Sequence, residues 1–180
     1  MRKYLQKWVL TVLTILIAGA LVISVGHAAD ISKDLAIQYI LATAKAARTV
    51  YVKGIIGKAS AAGVKPDENW VKADHAIMLP AQYVKAIGAE IKDFELSLVG
   101  TFPLYNANAP KTAKEKEMLE KLATGKDKVV TFEDGGRYVG FSADYAIVDS
   151  CADCHNKHPK TTKKDWKKGD FMGAIVVRMR

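Results

Sequence analysis

The sequence predicts an α+β domain, with helices gathered toward the first half and antiparallel strands toward the second. Apolar residues recur at helical spacing behind Ser32 and Pro80. Strand-like alternation then appears over 94–101, and two short apolar runs flank Asp134-Gly135-Gly136. No repeat, low-complexity run or long Gly/Ser/Pro linker divides the chain, so one domain is expected.

Ser32 can cap a helix reaching to about Lys58, with Leu35, Tyr39, Ala42, Ala46 and Thr49 as its buried stripe. The alanines of this helix (Ala42, Ala44, Ala46, Ala47) would let another helix or a flat ring approach closely. Gly57 to Pro66 reads as a break, and 67–76 as irregular or a short helical turn. Pro80 starts a helix over 81–92, in the first position where its missing N–H costs nothing. Phe94, Leu96 and Leu98 alternate with Glu95, Ser97 and Val99, the pattern of a half-buried strand. Pro103, Asn106, Asn108 and Pro110 mark a loop. Thr112-Ala113-Lys114-Glu115 is a capping box for a helix ending near Thr124, with Met118, Leu119 and Leu122 inward. Val129–Phe132 and Arg137–Phe141 form a hairpin about the Asp-Gly-Gly turn. A Lys-rich loop and a strand over 173–179 complete the domain.

The first 28 residues read differently. Arg2, Lys3 and Lys7 precede an uncharged, mostly apolar run from Trp8 to Val25, and Gly26-His27-Ala28 offers small residues at a cleavage spacing. The run is longer than a usual signal core of about 7–15 residues and near the lower limit of a membrane span. A cleaved export signal is the preferred reading, and a retained inner-membrane anchor the alternative. Either places the domain over 29–180 in the periplasm. The formal charge is +8, and removal of Arg2, Lys3 and Lys7 with no acid lost leaves +5. That residual basicity is a poor basis for nucleic acid binding.

The chain has two cysteines, in Cys151-Ala152-Asp153-Cys154-His155. C-x-x-C-H is the attachment pattern of haem c: two thiols add across the vinyl groups, and the next residue carries an imidazole under the ring. The same cysteines admit two other readings. One is a redox dithiol, which needs no histidine after it. The other is a zinc site completed by His158 and His75. Export and the adjacent His155 favour one covalently bound haem, with His155 as the proximal iron ligand.

His75 and Met78 are the candidates for the opposite face of the iron, His75 ahead of Met78. His158 lies on the same side of the ring as His155 and reads as an exposed loop residue. Lys157, Lys160, Lys163, Lys164, Lys167 and Lys168 crowd the segment after the motif, offset by Asp165. They would either steer an acidic redox partner or simply solvate a loop. Trp166 among them is expected to pack against the domain or the haem, ahead of docking a partner. Arg48, Tyr51 and Lys53 lie where they could reach haem propionates.

Four ordered segments go further: Leu79-Pro80-Ala81-Gln82, Asn106 to Thr112, Cys151 to Asn156, and Asp165 to Gly173. Together they resemble the Tll0287-like haem domain family over about 48–179. The resemblance implies a PAS-like fold, a small antiparallel sheet flanked by helices and holding one haem. It also implies a periplasmic cytochrome or the sensing part of a signalling protein. Distal ligation varies in that family, and the cysteine ligand of some members is impossible here because no third cysteine exists.

Three functions compete. The first is an electron carrier between periplasmic or membrane partners, favoured because no second span or kinase-like region follows the last strand. The second is a redox or gas sensor acting through a separate transducer. The third is a small haem enzyme, which needs an open iron position. Nothing resembles a nucleophile–base pair, a phosphate loop or a paired-carboxylate site, so an enzyme is not expected.

Overall fold

Residues 31–179 are described by a computed structural model, and the export signal or anchor expected over 1–28 lies outside them. The chain runs α1 (Lys33–Val50), a π-helical turn (Tyr51–Ile56), α2 (Gly57–Ala61), β1 (Lys65–Pro66) and β2 (Ala76–Ile77). It continues with α3 (Pro80–Glu90), β3 (Phe94–Gly100), a 3₁₀ turn (Asn106–Asn108) and α4 (Ala113–Ala123). Strands β4 (Val129–Asp134) and β5 (Arg137–Tyr145), helix α5 (Asp149–Lys157) and strand β6 (Phe171–Met179) follow. The four long strands form one antiparallel sheet in the order β3-β6-β5-β4, which confirms the α+β class.

The sheet separates two cores. Ala174 and Val176 of β6 face Met118, Leu119 and Leu122 of α4, together with Phe132 and Phe141. Ile175 and Val177 point the other way, into Ile37, Leu41 and Ala44 of α1 and Val84 of α3. This is why 173–178 is buried without a break, as a strand covered on both faces must be. Gly140 and Gly88 permit the close helix contacts. A Cβ on Gly140 would sit 2.1 Å from Ile37 Cγ2, and one on Gly88 would sit 2.2 Å from the Leu96 carbonyl oxygen.

Most elements fall where the sequence puts them, with three corrections. Helix α1 buries Ile37, Leu41, Ala44 and Arg48, whereas Leu35, Tyr39, Ala42 and Ala46 are exposed and Thr49 is half-buried. Both sets follow the same four-and-three spacing, and the buried one ends in a charge. The helical path also runs on through the π turn to Ala61, past the expected end near Lys58. Finally, the capping box is only half formed. Thr112 Oγ1 accepts from Glu115 N at 3.0 Å, but the Glu115 carboxylate accepts from Lys111 N at 2.7 Å and from Arg178 Nε at 2.6 Å. Its second arm is diverted to the buried arginine of β6. The hairpin turn holds Gly135 and Gly136 both at positive φ, 57° and 77°, as a two-residue turn with the twist of its strands requires.

Candidate functional site

Cys151, Cys154 and His155 lie on α5, a helix that the sequence reading left unassigned. Its signals are weak but present. Asp149 opposes the positive end of the helix dipole in the first turn, and Lys157 complements the last. Pro159 holds the preceding His158 in an extended conformation and stops the helix. On α5 the two thiols are one helical turn apart on one face, and His155 follows directly. Ala152 packs into the domain, Cys151 is half-buried and Cys154 is open to solvent.

Partial burial of the Cys154 sulfur nonetheless raises its pKa, with the charge of Glu68 and the neighbouring Cys151 adding to the effect. A raised thiol is the opposite of what an exchanging dithiol needs. The zinc alternative lacks donors: among the described residues, no group of three or more His, Cys, Asp and Glu side chains is placed to hold a metal.

The His155 imidazole is held in its neutral form first by burial, then by His158 and the positive charge of Arg48. Its Nδ1 is buried without a partner among the described residues. Trp166 stands edge-on to it, ring centroids 6.1 Å apart. Trp166 is buried, as expected, and the Asn156 side chain fastens it twice. Trp166 N donates to Asn156 Oδ1, and Asn156 Nδ2 donates to the Trp166 carbonyl, each at 2.9 Å.

The segment 67–79 lies against the far end of α5. Glu68 accepts from Tyr105 Oη at 2.7 Å and lies 3.2 Å from His158 Nε2. His158 is therefore not the exposed loop residue expected. It is docked on Glu68, beside the Tyr105 ring. At the other end of the segment, Tyr51 Oη donates to the Met78 carbonyl at 2.7 Å and its ring stacks on Tyr83 at 4.2 Å. Burial, then the neighbouring Tyr83, raises the Tyr51 pKa.

The two candidates for the second iron ligand differ in placement. Met78 is half-buried, with its backbone tied to Tyr51. His75 is exposed, and its φ of 54° is the one positive value at a non-glycine among the described residues. No hydrogen bond, ion pair or ring contact among the described residues joins its imidazole to α5.

Of the proposed propionate contacts, Lys53 is exposed and Tyr51 is committed to Met78. Arg48 is buried and pairs with Asp144 of β5 at 2.9 Å, leaving its Nε without a partner. Burial raises the Asp144 pKa, against the lowering effect of Arg48 and Lys45.

The lysine segment divides in two. Lys163 is tied to Asp165 and lies 4.9 Å from the Trp166 ring, and Lys160 sits 4.0 Å over Tyr105. Lys157, Lys164, Lys167 and Lys168 are exposed, with no side-chain bond among the described residues. No described helix is long and apolar enough to cross a membrane.

No curated protein matches the chain. Among solved structures, the chain is similar to the crystal structure of the cyanobacterial haem protein Tll0287, at 18% identity and a TM-score of 0.47. The match covers 69% of this chain and 84% of that one. A sequence model described as Tll0287-like matches residues 29–180, the whole stretch after the apolar N-terminal segment, and on that match the chain belongs to the Tll0287-like family.

Proposed function

We propose that this chain is a mono-haem c-type cytochrome of the periplasm that passes single electrons between periplasmic or membrane redox proteins. The observation that carries the reading is α5, which sets two thiols on one face and a half-buried His155 directly after them, its Nδ1 buried without a partner among the described residues. Those residues fit haem c. Cys151 and Cys154 would hold it by two thioethers and His155 Nε2 would take the iron. The family takes its name from Tll0287, a haem protein, which supports the same reading. When bound, the haem supplies one-electron iron chemistry.

The polypeptide's part is to attach, orient and shield. Trp166 and Asn156 fix the side of α5 that carries His155. The segment 67–79 brings His75 and Met78 as candidates for the opposite face. Lys157, Lys164, Lys167 and Lys168 offer an acidic partner a positive surface beside the motif. Export is supported by the basic and apolar residues 2–25.

The exposed His75 imidazole, unbonded among the described residues, favours a second reading, a haem-based sensor whose iron keeps an exchangeable position and which signals through a separate partner.

A pyridine haemochrome assay on the exported protein tests the first step. Covalent haem that survives acid–acetone extraction is expected, and its absence removes both readings. Spectra of the ferrous protein with carbon monoxide then separate them. A six-coordinate iron indifferent to the gas supports the carrier, and rapid binding to a five-coordinate iron supports the sensor.

A further inference from the structure

Buried N–H groups almost always find an acceptor, and the indole N–H of a buried tryptophan is no exception. Two among the described residues do not. Trp166, 5% exposed, leaves Nε1 unpartnered, and Arg48, 8% exposed, leaves Nε unpartnered. The two come from opposite ends of the domain sequence, and both stand on elements next to the attachment helix. Trp166 meets the His155 ring edge-on, and Arg48 is paired with Asp144 near the end of β5, the strand that leads into α5.

Neither donor is loose. The double bond to Asn156 holds the backbone of Trp166, and Phe102 packs edge-on against its ring at 5.9 Å. Arg48 is clamped through Nη1 to Asp144, which fixes the plane in which Nε points. Asp144 does not satisfy Nε as well, although a guanidinium can present two parallel donors to one carboxylate. The fork is thus half used, and the surroundings of His155 are short of acceptors. A haem carries anionic oxygen on its two propionates.

We propose that Trp166 Nε1–H and Arg48 Nε–H are the donors that receive the haem carboxylates in this domain. The inference rests on the haem reading above and adds what the attachment motif does not supply: orientation of the ring about the thioether edge. Arg48 would then bridge Asp144 and a propionate, two carboxylates on one guanidinium. The sequence points to Arg48 only together with Tyr51 and Lys53, and to Trp166 as packing on the domain or the haem, with no role for its N–H.

The experiment compares the haem-loaded wild type with Trp166→Phe, which keeps the ring and removes only the N–H, and with Arg48→Lys. Resonance Raman spectra and the midpoint potential are read at fixed pH. A shifted propionate bending band is expected in Trp166→Phe with the iron-coordination bands unchanged. A lower potential should accompany it, because a carboxylate that loses a donor presents more negative charge to the iron. Arg48→Lys should shift the same band. An unchanged propionate band and potential in Trp166→Phe overturns the proposal, whether or not Arg48→Lys folds. That outcome is distinct from absence of covalent haem in the wild type, which removes the cytochrome reading itself.

Discussion

Glu68 and His158 stand 90 positions apart in sequence and 3.2 Å apart in space, joining the segment that carries His75 and Met78 to the end of the helix that carries His155. Tyr105 bonds the same carboxylate, and Gln82 Nε2 donates to the Glu68 carbonyl at 2.7 Å. Glu68 is therefore the point at which three loops meet. In Glu68→Ala, amide exchange over 67–79 should accelerate about tenfold, the equivalent of roughly 1.4 kcal/mol of opening, with the sheet unaffected. Hydrogen-exchange mass spectrometry reads this directly, and unchanged exchange would show that Glu68 does not tether the segment.

The Arg48–Asp144 pair should be costly to break and inexpensive to replace. Removing one partner strands a charge between α1 and β5, where the two side chains are 9% and 11% exposed. Arg48→Met is expected to lose about 3–5 kcal/mol in urea unfolding, and the double variant with Asp144→Leu to recover much of it. Equal losses in the single and double variants would refute the coupling.

Charge reversal at Lys164, Lys167 and Lys168 should slow electron exchange with an acidic partner by about tenfold or more at low salt. Stopped-flow rates of wild type and variant should converge as salt rises, since screening shortens the reach of exposed charges. Rates that differ equally at all salt concentrations would point to a damaged site instead of lost steering.

Asp34 governs part of the acid response. The Thr131 hydroxyl donates to its carboxylate, and Tyr138 Oη and Gln38 Nε2 also bond it, at 3.2 Å and 2.9 Å. The Thr131 bond holds the Asp34 pKa below the usual carboxylate range against a desolvation that raises it, with Tyr138 and Gln38 helping. A depressed folded pKa gives stability that is full above the unfolded value near 4 and lost as pH falls through the folded value. Asp34→Asn should therefore melt lower than wild type at neutral pH, with the gap closing below about pH 4. A gap independent of pH would assign the loss to shape and not to charge.

How much of this was legible in the sequence depended on how local each cause is. The hairpin, the strand over 94–100, helix α3 and the inward face of α4 were all readable, because turn glycines, alternation and caps act within a few residues. The face of α1 was not. Leu35-Tyr39-Ala42-Ala46 and Ile37-Leu41-Ala44-Arg48 share a spacing, and the choice between them is made by Gly140, which admits Ile37, and by Asp144, which neutralises Arg48. Both act from β5, about a hundred residues downstream. The site shows the same division. The spacing of Cys151, Cys154 and His155 was read at once. The docking of His158 on Glu68 and the indole beside His155 depend on loops that meet only in three dimensions.

The middle of the sheet is also the last part of it to be made. Strand β3 finds its partner only in β6, so Gly100 must wait for Gly173 before that pairing can begin, and Phe94 for Met179 before it is complete. Pairing over such a span is slow to form, because a long loop must close before any bond rewards it. Helix α5 precedes β6 in the chain, so Cys151, Cys154 and His155 emerge while the sheet is still open. If haem is joined to these thiols as proposed, that delay would leave both of them within reach while the chain is still unfolded. On this view, a circular permutation that moved β6 ahead of β3 would leave the native contacts unchanged and shorten the time for which the two thiols stay accessible.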